Sequence, residues 1–165
     1  MKEIILAGGC FWGVEAYFKQ LKGVLNTSVG YVDGNYRNPS YKDVCSSKAT
    51  HTEACQVFYE PSQISLEGIL DHFFRIINPY SLNRQGPDIG SQYRSGIYYV
   101  DLDDQKQIQL FMEKKFQNDL HLVKTVIKQA VDYDLAEAYH QDYLDKNPNG
   151  YCHVNLGLAT NEEKK

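Results

Sequence analysis

Residues 2–23 read KEIILAGGCFWGVEAYFKQLKG. The apolar run KEIILA suits a first strand, which Gly8-Gly9 break. Beyond them Phe11, Val14, Phe18 and Leu21 recur at helical spacing with Tyr17 alongside, and Gly23 ends the helix. The same alternation continues along the chain. VLNTSVGYV (24–32) reads as a second strand, and an irregular tyrosine-containing stretch follows to about residue 50. EACQVFYE (53–60) is a third strand. Ser65 caps a helix carrying Leu66, Ile69, Leu70, Phe73 and Ile77, which Asn78-Pro79 stop. GIYYVD (96–101) is a strand, and Asp103 or Asp104 caps a helix striped by Ile108, Met112, Phe116 and Leu120. KTVIKQAV (124–131) is the last strand expected, and LAEAYHQDYLDKN the last helix. With no linker or repeat, this predicts one α/β (α+β) domain over 1–165, a sheet with helices packed on it.

The 165 residues are 42% hydrophobic and 23% charged, which is a globular composition. Net charge is −4 and the basic residues are scattered, so no nucleic-acid footprint is expected. No apolar run approaches the roughly 20 residues that span a bilayer. LAGGC resembles a lipoprotein cleavage site, but IILA is too short an apolar region for a signal, so a cytoplasmic protein is expected. Cys10, Cys45, Cys55 and Cys152 form no CxxC pair, and in that compartment read as reduced, buried or catalytic.

Cys10 sits where a strand turns into a helix, so first-turn amides and the helix dipole point toward its sulfur. That placement favours a reactive thiolate; a small core residue at a strand end fits it equally. Trp12 is the one tryptophan and lies nearly opposite the apolar stripe, beside Glu15 and Lys19. It either walls a pocket or is covered by another element. His51-Thr52-Glu53 offers an imidazole and a carboxyl at a strand start, and a Glu facing an apolar pocket would hold its proton and act as an acid. Zinc spacings among Cys45, His51 and Cys55 match no strong pattern. The segment 78–96 lacks an apolar period and is long for a loop in a compact domain, so part of a site is expected there. Tyr41 and Tyr93 lie in irregular segments where a phenol reaches a cleft, and Cys152 sits in a tail suited to a resolving cysteine.

GGCFWGVEAYF, PSYKDVC, HTEACQVFYEP, RQGPDIGSQYRSGIYY and AEAYHQDYL…NPNGYC together resemble the A-type methionine sulfoxide reductases, in order over nearly the whole chain. The resemblance implies a ferredoxin-like α/β plait with an irregular C-terminal tail. It implies reduction of methionine S-sulfoxide, free or in oxidised proteins, as a repair activity. Cys10 matches the nucleophile that becomes a sulfenic acid, and Phe11 and Trp12 match the walls around the substrate methyl. Glu53 matches the acid at the sulfoxide oxygen, Tyr41 and Tyr93 its phenolic helpers, and Asp88 a carboxylate of the same hydrogen-bond network. Cys152 matches the resolving cysteine, its disulfide with Cys10 being reduced by thioredoxin. No bound cofactor or metal, no nucleic acid or membrane partner, and a monomer are expected.

Two departures stand out. ATH replaces the TGH often found before the glutamate, and HVNLGLATNEEKK carries no second tail cysteine, which leaves one resolving thiol and a simple exchange. Cys45 remains an alternative partner. A thiol peroxidase using Cys10 and Cys152, and a non-catalytic pocket for methionine-containing peptides, are the competing readings.

Overall fold

A computed structural model describes all 165 residues, Met1–Lys165. In chain order its elements are β1 (Lys2–Ala7), α1 (Phe11–Lys19), β2 (Val24–Val32), α2 (Tyr41–Cys45), β3 (Thr52–Tyr59) and α3 (Leu66–Ile76). The two-residue strands β4 (Arg84–Gln85) and β5 (Asp88–Ile89) follow, then β6 (Gly96–Tyr99), α4 (Asp104–Phe116), β7 (Val126–Gln129), β8 (Asp134–Leu135) and α5 (Tyr143–Lys146). The main sheet runs β7-β6-β1-β3-β2-β8. Each neighbouring pair among its four central strands is antiparallel, and these strands arise from a β1-α1-β2-β3-α3-β6 order, which is the expected plait. β7 extends it in parallel with β6, a pairing that needs the crossover supplied by α4.

Strand alternation sorts the core. Ile4 and Leu6 of β1, with Cys55, Val57 and Tyr59 of β3, face α1 and α3, where Val14, Phe18, Ile69 and Phe73 meet them with no exposed surface. Each such side chain removed from water stabilises the fold by roughly 1.5–3 kcal/mol. Ile5, Ala7, Ala54 and Tyr98 pack on the other face under Tyr133 and Ala130. Leu6 pairs with Cys55. Continuing that register sets Glu53 opposite Gly8, where β1 ends and the chain turns into α1.

Two segments differ from the sequence expectation. The helix expected over LAEAYHQDYLDKN is instead β8, a 3-10 turn at Ala138–His140 and the four-residue α5. Asp142 adopts a left-handed conformation (φ 54°) and its amide donates to Glu15 Oε1 at 2.8 Å. Tertiary bonds to β2 and α1, including Gln141 to Val29, replace helical ones. Conversely, the stretch up to residue 50 contains α2, capped by Ser40, whose hydroxyl accepts the Asp43 amide at 3.0 Å. At the other end of the sequence, the Lys22 amide donates to Glu163 and the Lys165 amide to Gln20, both at 2.9 Å, which ties the C-terminal residues to the end of α1. No helix is long and apolar enough to cross a membrane.

Candidate active site

Cys10 is the N-cap residue of α1 and is 7% exposed. Its side chain makes no capping hydrogen bond, yet the amides of Trp12 and Gly13 lie near enough to favour its anion. Burial and the nearby Glu53 charge outweigh them and push the thiol far above its usual range. The thiolate expected at this helix terminus is therefore not the resting form; desolvation exceeds what two amides return.

Glu53 is 1% exposed. Its Oε1 accepts the Phe11 amide at 3.2 Å, and Oε2 is buried with no partner. Burial pushes the carboxyl up to about 8, the Phe11 amide working against this and Asp88 adding to it. At pH 7 the acid form then dominates by about ten to one. A neutral acid and a neutral thiol can share one dry site, whereas two anions cannot.

Two phenols lie near enough to Glu53 to feel its charge. Tyr41 begins α2, and Tyr93 ends a 3-10 turn at Ser91–Tyr93. Both hydroxyls are pushed up, first by burial; Glu53 contributes to each, and Tyr93 also senses Asp88 and Cys10. At neutral pH they remain O–H donors. Asp88 Oδ1 accepts the Tyr151 hydroxyl at 2.9 Å. The long segment 78–96 thus carries two of the expected site residues, Asp88 and Tyr93.

Phe11 is 1% exposed and buried with Tyr31 (centroids 5.7 Å) and His140 (5.1 Å). Trp12 is half-buried; Tyr143 stacks on it at 3.7 Å and 8°, and its Nε1 donates to His140 Nδ1 at 3.0 Å. Glu15, on the same side of α1, is 2% exposed and holds Thr27 and the Asp142 amide at 2.8 Å each. This carboxylate fixes the turn that brings Tyr143 onto the indole. His51 is fully buried against Gly34, with neither ring nitrogen partnered.

The four cysteines are free. The segment 151–154 lies over the turn that carries Cys10: a Cβ built at Gly13 would come 3.1 Å from Cys152 Sγ and 3.3 Å from His153 Nδ1. Cys152 is accordingly close to the first turn of α1, while Cys55 is wholly buried in the sheet. Cys45 is exposed at the end of α2, near Tyr41. The largest cavity, about 560 Å³ between α3 and α4, shares no residue with the site.

A family model described as peptide methionine sulfoxide reductase matches residues 2–165. The chain belongs to that family. It is 52% identical over 159 residues to peptide methionine sulfoxide reductase MsrA of Ureaplasma urealyticum serovar 10, covering 96% of each chain. Among solved structures it is similar to Mxr1 from Saccharomyces cerevisiae in reduced form (TM-score 0.84, 39% identity, 94% of this chain and 91% of that one). It also matches Mxr1 in complex with Trx2 (TM-score 0.58, 28% identity, 86% and 84%).

The residues expected from the resemblance, Cys10, Glu53, Tyr41, Tyr93 and Asp88, come from five separate elements or turns. His140, Tyr143, Glu15 and His153 were not singled out from sequence. The signal the sequence offers for them is adjacency: His153 follows Cys152, and His140 and Tyr143 lie on either side of Gln141-Asp142.

Proposed function

We propose that the chain, as one domain over 1–165, reduces methionine S-sulfoxide, free or in oxidised proteins, through Cys10, Glu53 and Cys152. The observation that carries this is the unpartnered Oε2 of a protonated Glu53, fastened through Oε1 to the backbone that bears Cys10. A sulfoxide sulfur is a poor electrophile until its oxygen takes a proton. Glu53 gives its proton to that oxygen, with Tyr41 and Tyr93 donating alongside, and Cys10 sulfur attacks the substrate sulfur. The Cys10 proton restores Glu53, the substrate S–O bond breaks as its oxygen passes to the Cys10 sulfur, and methionine leaves with its own sulfur. The sum is thiol plus sulfoxide giving sulfenic acid plus thioether, with no proton gained or lost. A high thiol proton affinity is compatible with this, because thiol and acid exchange protons only as substrate enters.

Methyl and oxygen are what an S-selective site must separate. The Trp12–Tyr143 stack offers an aromatic surface, and Glu53, Tyr41 and Tyr93 offer O–H donors. Cys152 then attacks the Cys10 sulfenic acid and the resulting disulfide goes to a thioredoxin-like dithiol, a reading supported by the likeness to Mxr1 solved with Trx2. Four free cysteines suit a reducing, cytoplasmic setting.

Single turnover on methionine S-sulfoxide without reductant tests this. One methionine per chain and loss of two thiols are expected, with none formed by Cys10→Ser. Peroxide consumption without methionine would instead indicate a thiol peroxidase, and binding without turnover a methionine-peptide module.

A further inference from the structure

The segment that carries Cys152 is not draped loosely over the site. His153 Nε2 lies 2.9 Å from the Gly8 carbonyl oxygen. A carbonyl only accepts, so Nε2 carries the proton and donates. The other ring nitrogen, Nδ1, is buried, has no partner, and faces Asp88 Oδ2 at 3.8 Å. That carboxylate oxygen is itself buried and unpartnered, while Oδ1 of the same group holds the Tyr151 hydroxyl at 2.9 Å. Tyr151, on one side of Cys152, is therefore fastened to Asp88, and His153, on the other side, grips the residue just before Gly9 and Cys10. The His153 side chain is 4% exposed, which is unusual for a histidine in a terminal tail.

We propose that His153 is a positioning residue for the second chemical step: by donating to the Gly8 carbonyl, while Tyr151 is held by the Asp88 carboxylate, it keeps Cys152 over the Cys10 turn so that the sulfenic acid is captured within the chain. This rests on the reading of Cys10 and Cys152 given above. In that step the Cys152 sulfur attacks the Cys10 sulfur, an S–S bond forms and the S–O bond breaks. The hydroxyl leaves as water with the Cys152 proton; Cys152 sulfur is oxidised and Cys10 sulfur is reduced. The advantage of holding the two sulfurs together is one of orientation, and is lost when the tail wanders. The proton donors of the first step lie on β3, α2 and the 78–96 segment, not on the tail. Gly8 and Cys10 belong to the same rigid turn, so a clamp on Gly8 is a clamp on the nucleophile's own backbone.

The test is single turnover on methionine S-sulfoxide without reductant, reading methionine and free thiols separately, with dimedone to trap sulfenic acid. Wild type should lose both thiols as methionine appears. His153→Ala should form methionine at close to the wild-type rate, lose its second thiol at least about tenfold more slowly, and accumulate dimedone-reactive Cys10. His153→Gln, whose amide can still donate to the Gly8 carbonyl, should recover part of the second step. Tyr151→Phe, at a half-exposed position that does not threaten folding, should slow it more mildly. Thiol loss at the wild-type rate in His153→Ala overturns the proposal, as does an equal fall of both steps in that variant and in Tyr151→Phe. Failure of wild type itself to make methionine overturns the underlying reading instead, so the two failures are separable.

Discussion

Glu53 is joined to Phe11 by a 3.2 Å hydrogen bond from the backbone amide, so the carboxyl of β3 is fixed to the first residue of the helix that Cys10 caps. One oxygen is occupied by structure and the other is free for chemistry. Burial keeps this group protonated up to about pH 8. Methionine formation in single turnover should therefore hold level through neutrality and fall as pH rises past about 8. Glu53→Gln should lose part of the rate, since an amide still donates, and should lose the fall near 8. A wild-type profile that is flat from pH 7 to 9.5 would remove Glu53 from the proton-donating role.

The same carboxyl makes a prediction about stability. Its folded proton affinity exceeds the unfolded one (4.5 to about 8), so its contribution is fully present below 4.5 and is lost as pH climbs through about 8, where the fold must bury a charge. Glu53→Gln carries no such charge. Denaturant melts should show the variant gaining on wild type as pH goes from 4.5 to 9, by a few kcal/mol at most, with the gap closing at the acid end.

Trp12 is the one tryptophan, so its emission reports on its own pocket. Burial pushes the His140 imidazole down from its ordinary range, Glu137 opposing, so at neutral pH the ring is uncharged and accepts the indole N–H. A depressed base contributes stability above 6.5 that is lost as pH falls through its folded value. Emission should be constant from pH 8 to about 6.5 and shift below that, when a proton on Nδ1 meets the indole N–H. His140→Phe should show the shifted emission at every pH, cost about 1–2 kcal/mol for the unpartnered indole, and raise KM more than it lowers kcat. An unchanged spectrum in that variant would contradict the 3.0 Å bond.

How far these features were legible in sequence depends on the range of the forces that set them. The β1–Gly8-Gly9–α1 unit, β3 and α3 followed from period and punctuation, because burial on one face imposes that period locally. Cys10 and Glu53 could be named from their motifs. The proton affinity of Cys10 could not, since the helix-terminus effect is visible in sequence and the desolvation that overrides it is not. The segment near His140 departs from helix for a related reason: LAEAYHQDYLDKN has good helix formers, but Glu15 draws the Asp142 amide, and Val29 the Gln141 side chain, into tertiary bonds. Trp12's cover, Tyr143, depends on that turn and was hidden with it.

Arg75 and Glu163 meet through paired 2.8 Å contacts and tie the C-terminal residues to α3. Arg75, with the Thr160 amide, pulls the Glu163 carboxyl down to about 2. This contribution is present above 4.5 and is lost as pH falls through about 2. The pair is substantially solvated, so Glu163→Gln should cost only about 1 kcal/mol or less at pH 7, and less in high salt. The local effect should be larger than the global one. Hydrogen exchange at the Lys22 and Lys165 amides, whose bonds tie this segment down, should accelerate in the variant while amides of β3 do not change. Equal acceleration throughout would mean that the ion pair supports the whole fold rather than the tail.

Gly9 and Gly86 separate backbone strain from collision. Both have positive φ, 90° and 57°, so Ala at either is strained. A Cβ at Gly86 meets nothing within 4 Å, whereas at Gly9 it would come 2.8 Å from His153 Nε2 and 2.9 Å from Gln85 Cβ. Gln85 is 2% exposed and holds Asn78 through both amide atoms, so it cannot step aside; His153 must. Gly86→Ala should therefore cost about 1 kcal/mol in stability and leave both thiol steps intact. Gly9→Ala should cost roughly 2–3 kcal/mol and delay loss of the second thiol, because the methyl displaces the ring from the Gly8 carbonyl. Chemical melts and the two-readout single turnover measure both. Equal costs in the two variants would mean that the tail does not press on the Gly9 turn in solution.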